Sequence, residues 1–512
     1  MTRSYQWLDS IAETDLSDRR ITWLERTAFA FLILTAVSAP HSIAATQTAW
    51  LIGMAAWLVR LFLKPRPSLR TGALDIALWG FFVWSAVTSV FSYDPATSID
   101  KLRGTALFLL FYFAYHTLKN IRAVWLIAFV LIGSCMINVL WTPIQRLIGR
   151  GVEIHGVAPD GPLGKALLKD GDTLLAVNGR KVRTPEEVLE AMEAGEVSKI
   201  RFYRPDFEFT VEAKRLDLLA TGTPIDRLGF QSWKKSRNWR SSGFYGHYTT
   251  YAEVLQLIAS LVFGLFVAAI LRPGPWGRMP AAILAICLAA MMLALLMTVT
   301  RASQLAFLIS AFVMVLIGAP RKWMLLLLVV MVPVGIAGLI FLQQSRDVGF
   351  FDSSDESIRW RQTVWREGYG LWTESPRNFV LGVGMDSIKK YAAEWHLFDD
   401  GRLPMGHFHS TPLNLLVERG LPALILWLTV LAIYARSLWL GIRSAPADWQ
   451  SLGILLGCLG GLAGFFVSGL VHYNLGDQEV AMVFFLLMAL GVRISGSTFN
   501  DSLDTSRTHS RS

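Results

Sequence analysis

The sequence predicts an all-α polytopic membrane protein of about twelve transmembrane helices, with a small α/β insert between two sets of spans. Three observations predict it. The 512 residues are 53% hydrophobic and only 17% charged, too apolar for an ordinary soluble domain. Apolar runs recur along the whole chain, most of them near the roughly 20 residues that cross a hydrocarbon core of about 30 Å. Lys and Arg concentrate in alternate connectors, as positive-inside bias requires of a multi-pass chain.

The runs lie at 24–39, 43–63, 73–91, 104–118, 121–141, 249–271, 279–297, 302–318, 323–342, 412–440, 451–471 and 478–494. A long polar stretch precedes the first and further spans follow, so it reads as a span and not as a cleaved signal. Placing the N-terminus (Arg3, Arg19, Arg20, Arg26) in the cytoplasm puts the basic connectors inside: Lys64/Arg66/Arg70, Lys119/Arg122, Arg272/Arg278, Arg321/Lys322 and Arg436/Arg443. The tail, with Arg493, Arg507 and Arg511, is then cytoplasmic too, and the long insertions at 142–248 and 343–411 are outside. The domain plan is N-terminal membrane helices at 1–145, an insert at 150–215 and membrane helices at 235–342. An outer loop at 343–411, C-terminal membrane helices at 412–495 and a tail at 496–512 follow. The net charge of +9 is largely this bias, so no nucleic-acid partner is needed to explain it. Cys135, Cys287 and Cys458 all fall in spans and read as packing residues, neither disulfides nor metal ligands.

Residues 1–22 are polar and read as a short helix on the inner face. The outer connector Ser92–Gly104 carries Lys101 and Arg103 beside the next span. Snorkelling anchors are the simpler reading of the pair; the alternative is that they hold an anionic lipid substrate.

Residues 150–215 change character. Val152–Val157 alternates as a strand, and Thr173–Val177 is a second strand closed by an Asn178-Gly179 turn. Thr184, Pro185, Glu186 and Glu187 open a helix to about Met192. Lys199–Arg204 and Phe207–Val211 alternate as two more strands. The run from Gly151 through Gly179 resembles a bacterial PDZ domain, a family in which a peptide adds as a strand between the first strand and the helix. The resemblance places that groove between Val152–Val157 and Pro185–Met192, lined by Val152, Ile154, Val188 and Met192. The carboxylate-binding loop of that family would fall near Ile148–Gly151, against the membrane, which argues against recognition of a chain terminus. A scaffold role without a ligand fits the sequence equally well.

Phe230–Leu255 is basic and aromatic and leads into the sixth span, with Lys234, Lys235, Arg237, Arg240 and His247 on the outer side. Trp233, Trp239 and the lysines read as interfacial anchors, while Arg240 at the mouth of a span suggests function. Arg301 opens the eighth span ahead of Ala302 and Ser303; it is either a snorkelling arginine or a charge facing the bundle interior. In Asp355–Trp372, Ile358, Val364, Trp365, Leu371 and Trp372 alternate with Arg359, Arg361 and Arg366, which predicts an amphipathic helix in the interface plane.

The stretch Gly406–Gly420, GHFHSTPLNLLVERG, follows. His407 and His409 stand two residues apart, and Asn414 and Glu418 share a helical face at i,i+4. Ionisable groups where a chain enters hydrocarbon are costly and mark candidate sites; interfacial histidines on a wet loop are the plainer reading.

Together these pieces resemble the O-antigen ligase family of polytopic glycosyltransferases, which includes O-antigen polymerases and protein O-oligosaccharyltransferases. The residues that carry the likeness are Arg240 before a Gly/aromatic stretch, Arg301 with Leu305, Ser375–Gly384, and His409-Ser410 followed by Gly420. It covers roughly 24–145 and 235–495, the PDZ-like insert being extra. The resemblance implies a GT-C-like fold in the bacterial inner membrane and transfer, on the periplasmic side, of a glycan from undecaprenyl diphosphate to a hydroxyl of lipid A-core. It implies no metal or other cofactor. Carried over by motif, His409 is the general base, and Arg240 and Arg301 grip the diphosphate. Two positions depart from the pattern: Ser410 stands where Asn is common, and Ala423 follows the helix-breaking Pro422.

Chemistry supports those roles. Forked guanidinium groups match phosphate oxygens, and fixed cations stabilise the charge on a leaving diphosphate. An imidazole, with an ordinary pKa of about 6.5, suits proton removal near neutrality. Candidate substrate-binding residues around them are Lys101, Arg103, Arg237, His247, His407, Asn414, Glu418 and Asp477, with Glu418 placed to orient the imidazole or the start of the helix. A zinc site through His396, His407 and His409 lacks ligand spacing. Competing readings are a polymerase, a protein O-glycosyltransferase whose acceptor peptide binds the insert, and a transporter of lipid-linked sugars. A transporter would place its ionisable residues near the midplane, whereas these lie at the outer ends of spans.

Overall fold

The computed structural model describes residues 3–318 except 68, 70, 205 and 206, then 320, 329, 356–403, 406–444 and 448–509. The chain forms two compact units: a helical unit of Met1–Asn138, Phe244–Leu296 and Thr300–Ser512, and an insert unit of Val139–Gly243 with Met297–Val299.

In the helical unit, local sequence starts the helices. Asp18, Ser42, Asp94, Ser410 and Asp448 each accept a backbone N–H in the first turn that follows, and Pro95 and Pro412 occupy first-turn positions where no donor is needed. Among the described residues nine helices are long and apolar enough to cross a membrane, from Arg19–Ser38 to Gln478–Gly496. This is the framework of a multi-pass membrane protein.

Three predicted spans are not among the nine. The 43–63 run forms the helix Ile43–Arg60, but Thr46, Gln47, Thr48 and Arg60 leave it less apolar. The 104–118 run is not one helix: Pro95–Thr105 ends there, Ala106–Phe108 is a 3-10 turn and Leu109–Thr117 continues. Apart from Val329, the 323–342 run lies outside the described residues, as do Arg321 and Lys322.

The centre of the unit is a close crossing of Tyr248–Leu271 and Trp449–Gly469. Side chains at Gly264, Gly453 or Gly457 would run into the opposing helix backbone, so the glycine-rich run within Leu455–Gly464 serves close approach. The expected amphipathic helix is Glu356–Thr373. Its apolar face does not lie free: Val364, Leu371 and Trp372 pack with Ile388, Phe408 and Val417 in one buried cluster.

The insert unit is an antiparallel sheet. Its strands are β1 (Arg150–His155), β2 (Thr173–Val177), β3 (Arg180–Lys181), β4 (Val197–Arg204), β5 (Phe207–Lys214) and β6 (Ser232–Ser236). The order is β5-β4-β2-β1-β6, with β3 paired to β2. Thr184 caps the helix Pro185–Glu193, whose Val188 and Met192 bury against the sheet.

Two expectations are corrected here. Val152, Ile154, Val188 and Met192 do not line a groove; all four are fully buried core residues. The edge of β1 where a peptide would add is taken by β6, with Ile154 opposite Trp233 and Glu153 opposite Lys234. The sheet therefore extends past residue 215 and draws in part of the stretch read as membrane anchors. Trp233 packs on the insert core and Trp239 is buried.

Candidate active site

The loop before the Thr411–Arg443 helix is held from several sides. Trp365 Nε1 donates to the Phe408 carbonyl at 2.9 Å, and the Phe408 ring is fully buried. Asn414 clasps the loop: its Oδ1 accepts from Phe408 N–H at 3.3 Å and its Nδ2 donates to the Ser410 carbonyl at 2.7 Å. Thr411 donates through N–H and Oγ1 to the His472 carbonyl at 3.0 and 3.2 Å. Between these anchors His409 takes φ +47°, a left-handed conformation uncommon for a residue with a side chain. Strain of that kind persists only where the surroundings enforce it.

A second support comes from Ser375–Gly384. Val383 and Gly384 N–H groups donate to the Val417 and Glu418 carbonyls at 2.8 and 2.9 Å. This docks the turn onto the helix where Gly420 breaks it, at φ +74° and ψ 176°. A side chain at Gly420 would strike the Val380 carbonyl.

Phe408 enters the core while its neighbours His407 and His409 stay half-buried. Their ring centroids are 4.0 Å apart, and His409 N–H donates to His407 Nδ1 at 3.2 Å. Trp360 meets the His409 ring edge-on at 5.0 Å, and the Arg361 guanidinium lies 4.8 Å over the Trp360 ring. Burial, then the His407, His472 and Arg361 charges, push His409 down to about 2. Burial and then Lys389 push His407 down to about 4. Both imidazoles are thus neutral at pH 7.

Beside them is a charged network. Burial would raise Asp386, but hydrogen bonds from Lys101 and Lys389 outweigh it and hold the carboxyl below its usual range. The two ammonium groups lie 2.8 and 3.1 Å from its Oδ2. Glu418, buried, accepts from Asp386 N–H at 3.2 Å and from Tyr473 Oη at 3.1 Å. It therefore braces the turn: among the described residues its bonds go to Asp386 N–H and Tyr473, which fits the second of its two expected roles, at the start of the helix, and not the orienting of an imidazole. Asn414 likewise serves the loop.

The other expected residues divide. His247 caps Tyr248–Leu271, its Nδ1 accepting from Thr249 N–H at 3.2 Å. Asp477 accepts from Thr250 Oγ1 at 2.5 Å and from Val480 N–H at 3.4 Å, tying two helices together. Arg103 is exposed and pairs with Asp100 at 3.2 Å. Arg301 is the first residue of Arg301–Gly318 and half-buried, followed by the fully buried Ser303. Arg240 and Arg237 belong to the insert unit, Arg240 half-buried and Arg237 exposed.

Sequence reasoning missed Asp386, Lys389, Tyr473 and a buried pair, His472 Nδ1 with Glu253 Oε1 at 3.0 Å. The run His472-Tyr473-Asn474 between two apolar spans carried the same signal as Gly406–Gly420, polar groups at the edge of hydrocarbon. Among the described residues, no cluster of three or more His, Cys, Asp or Glu is arranged to hold a metal ion.

A family model described as O-antigen ligase matches residues 286–428, which include Arg301, His407, His409, Asn414, Glu418 and Gly420. Short stretches also match two curated proteins. One is the magnetosome formation protease MamE of Paramagnetospirillum magneticum, 56% identical over 45 residues, 9% of this chain and 6% of that protein. The other is MamE of Magnetospirillum gryphiswaldense, 50% identical over 44 residues, with the same coverage of 9% and 6%. The matched stretch spans about 6% of the length of these relatives.

Proposed function

From a chain that belongs to the O-antigen ligase family through residues 286–428, we infer a membrane glycosyltransferase that moves an O-antigen-like glycan from undecaprenyl diphosphate to a hydroxyl of lipid A-core. The acceptor oxygen attacks the anomeric carbon, and its proton passes to the His409 imidazole. The bond from that carbon to the diphosphate breaks, and the electron pair leaves on a phosphate oxygen. Arg301 and Arg240 are the guanidinium groups assigned to that oxygen and its neighbours. The reaction as drawn uses no cofactor. The Lys/Arg distribution supports an active site on the periplasmic side of the bacterial inner membrane, with both termini cytoplasmic.

The observation that carries this reading is the His407–His409 pair within the matched residues, both imidazoles held neutral and His409 in a left-handed backbone. A base held near 2 is weak. The negative charge of a bound diphosphate opposes the cationic neighbours and moves it toward the range where general-base catalysis is effective. A polymerase or protein O-oligosaccharyltransferase would use the same donor and base, and the acceptor separates them.

The test is incubation of the purified full chain in detergent with an undecaprenyl-diphosphate glycan and, in separate arms, lipid A-core, an oligosaccharide and a peptide. Glycan joined to lipid A-core is the expected product, and His409→Ala should lower its rate about a hundredfold or more with unfolding temperature unchanged. Near-normal transfer by His409→Ala would remove His409 as the base.

A further inference from the structure

The insert unit holds a device that none of its expected roles explains. β6 is the strand that occupies the open edge of β1, and the chain runs from it directly into Arg240. The approach is close: at Gly149, φ +76°, a side chain would meet the Lys235 Cβ. Lys234 Nζ adds an ion pair to Glu153 at 3.2 Å.

Beyond β6 two arginines seize the residues on either side of Arg240. The Arg150 guanidinium lies between the Tyr203 and Trp239 rings, 4.8 Å from each centroid. Arg146 donates to the Trp239 carbonyl, to Ser241 Oγ at 3.1 Å and to the Met297 carbonyl at 2.8 Å. Ser241 N–H donates to the same Met297 carbonyl at 2.9 Å. Trp239 and Ser241 are both buried, so the backbone is pinned immediately before and after Arg240, whose own side chain is half-buried.

We propose that the insert sheet binds its own chain, taking residues 232–236 as the strand a peptide would otherwise supply, so that Arg146 and Arg150 act as positioning residues for Arg240. This rests on the diphosphate role proposed above for Arg240. A guanidinium recognises phosphate oxygens through a fixed fork, and a fork gains most when its backbone is held before the ligand arrives. On this view the insert is an internal clamp, and an added peptide strand would compete with β6 and release Arg240.

The test is a double-mutant cycle read by binding of undecaprenyl diphosphate to the purified full chain at low ionic strength. Arg150→Lys keeps the charge and loses the planar stack between two rings; Arg240→Ala removes the proposed ligand contact. Arg150→Lys should weaken binding about fivefold in the parent chain, the scale of a partly buried cation–π contact, and leave binding unchanged in the Arg240→Ala background. Glu208→Gln, which weakens the 3.4 Å ion pair to Arg150 and the 3.5 Å pair to the exposed Arg201 but leaves the ring stack in place, should bind as the parent does. Unfolding temperatures identify any variant that fails to fold, in which case Trp239→Leu replaces Arg150→Lys in the cycle. Equal weakening by Arg150→Lys with and without Arg240, or no weakening in the parent, overturns the proposal while Arg240 keeps its role. Normal binding by Arg240→Ala overturns both.

Discussion

Replacing Gly420 by Ala tests why the His409–Gly420 spacing matters. Gly420 has φ +74° and ψ 176°, a region essentially reserved for glycine. Holding Ala there costs about 1–3 kcal/mol in backbone strain. The new Cβ would also strike the Val380 carbonyl and Leu381 nitrogen, so the 380–384 turn must back away. That retreat gives up the hydrogen bonds from Val383 and Gly384 to Val417 and Glu418, 2.8 and 2.9 Å long. Each contributes about 0.5–1.5 kcal/mol net. Strain or retreat, the docked turn loses on the order of 2 kcal/mol, about thirtyfold in its opening equilibrium. Hydrogen exchange on the full chain in detergent reads this directly. The Val383 and Gly384 amides should exchange about thirtyfold faster in Gly420→Ala, while helices far from the turn keep their protection. Glycan transfer should fall as well, because the same turn carries Asp386, whose N–H is bonded to Glu418 beside His407 and His409. Unchanged exchange at both amides would refute the reasoning.

Two further predictions concern the histidine loop. Because His409 is held far below the ordinary imidazole range and acts in its neutral form, kcat/KM should stay level as pH falls through 6.5 and decline only in more acid solution; an acid limb centred near 6.5 would contradict the assignment. Asn414→Leu leaves the buried Phe408 N–H without an acceptor and should destabilise the loop by about 1–3 kcal/mol, whereas Asn414→Asp keeps that acceptor. Transfer and thermal unfolding should rank parent above Asp above Leu, and equal behaviour of the two variants would argue against the clasp.

Much of this protein is written locally. Apolar runs separated by basic connectors specify a multi-pass helical chain because hydrocarbon admits few other backbones. The caps at Asp18, Ser42, Thr184 and Ser410 act within one turn of themselves, so their helix starts follow from neighbouring residues. The polar cluster Gly406–Gly420 stands out by composition alone, since ionisable groups at a membrane edge need a reason. Other features depend on partners far along the chain. Glu418 has helical spacing to Asn414, yet its bonds go to Asp386 and Tyr473, brought in from two other segments. The amphipathic stripe of Glu356–Thr373 is the same whether it meets lipid or protein, and only packing against Phe408 and Val417 decides for protein. Val152 and Met192 stand where the PDZ resemblance places a groove, but full burial makes them core. Residues 232–236 carry too much lysine to suggest a strand by composition; the edge that β1 would otherwise leave open makes them one. Periodicity determined which residues face together; what they face was decided by segments dozens to hundreds of residues away, because burial and pairing are properties of the assembled chain.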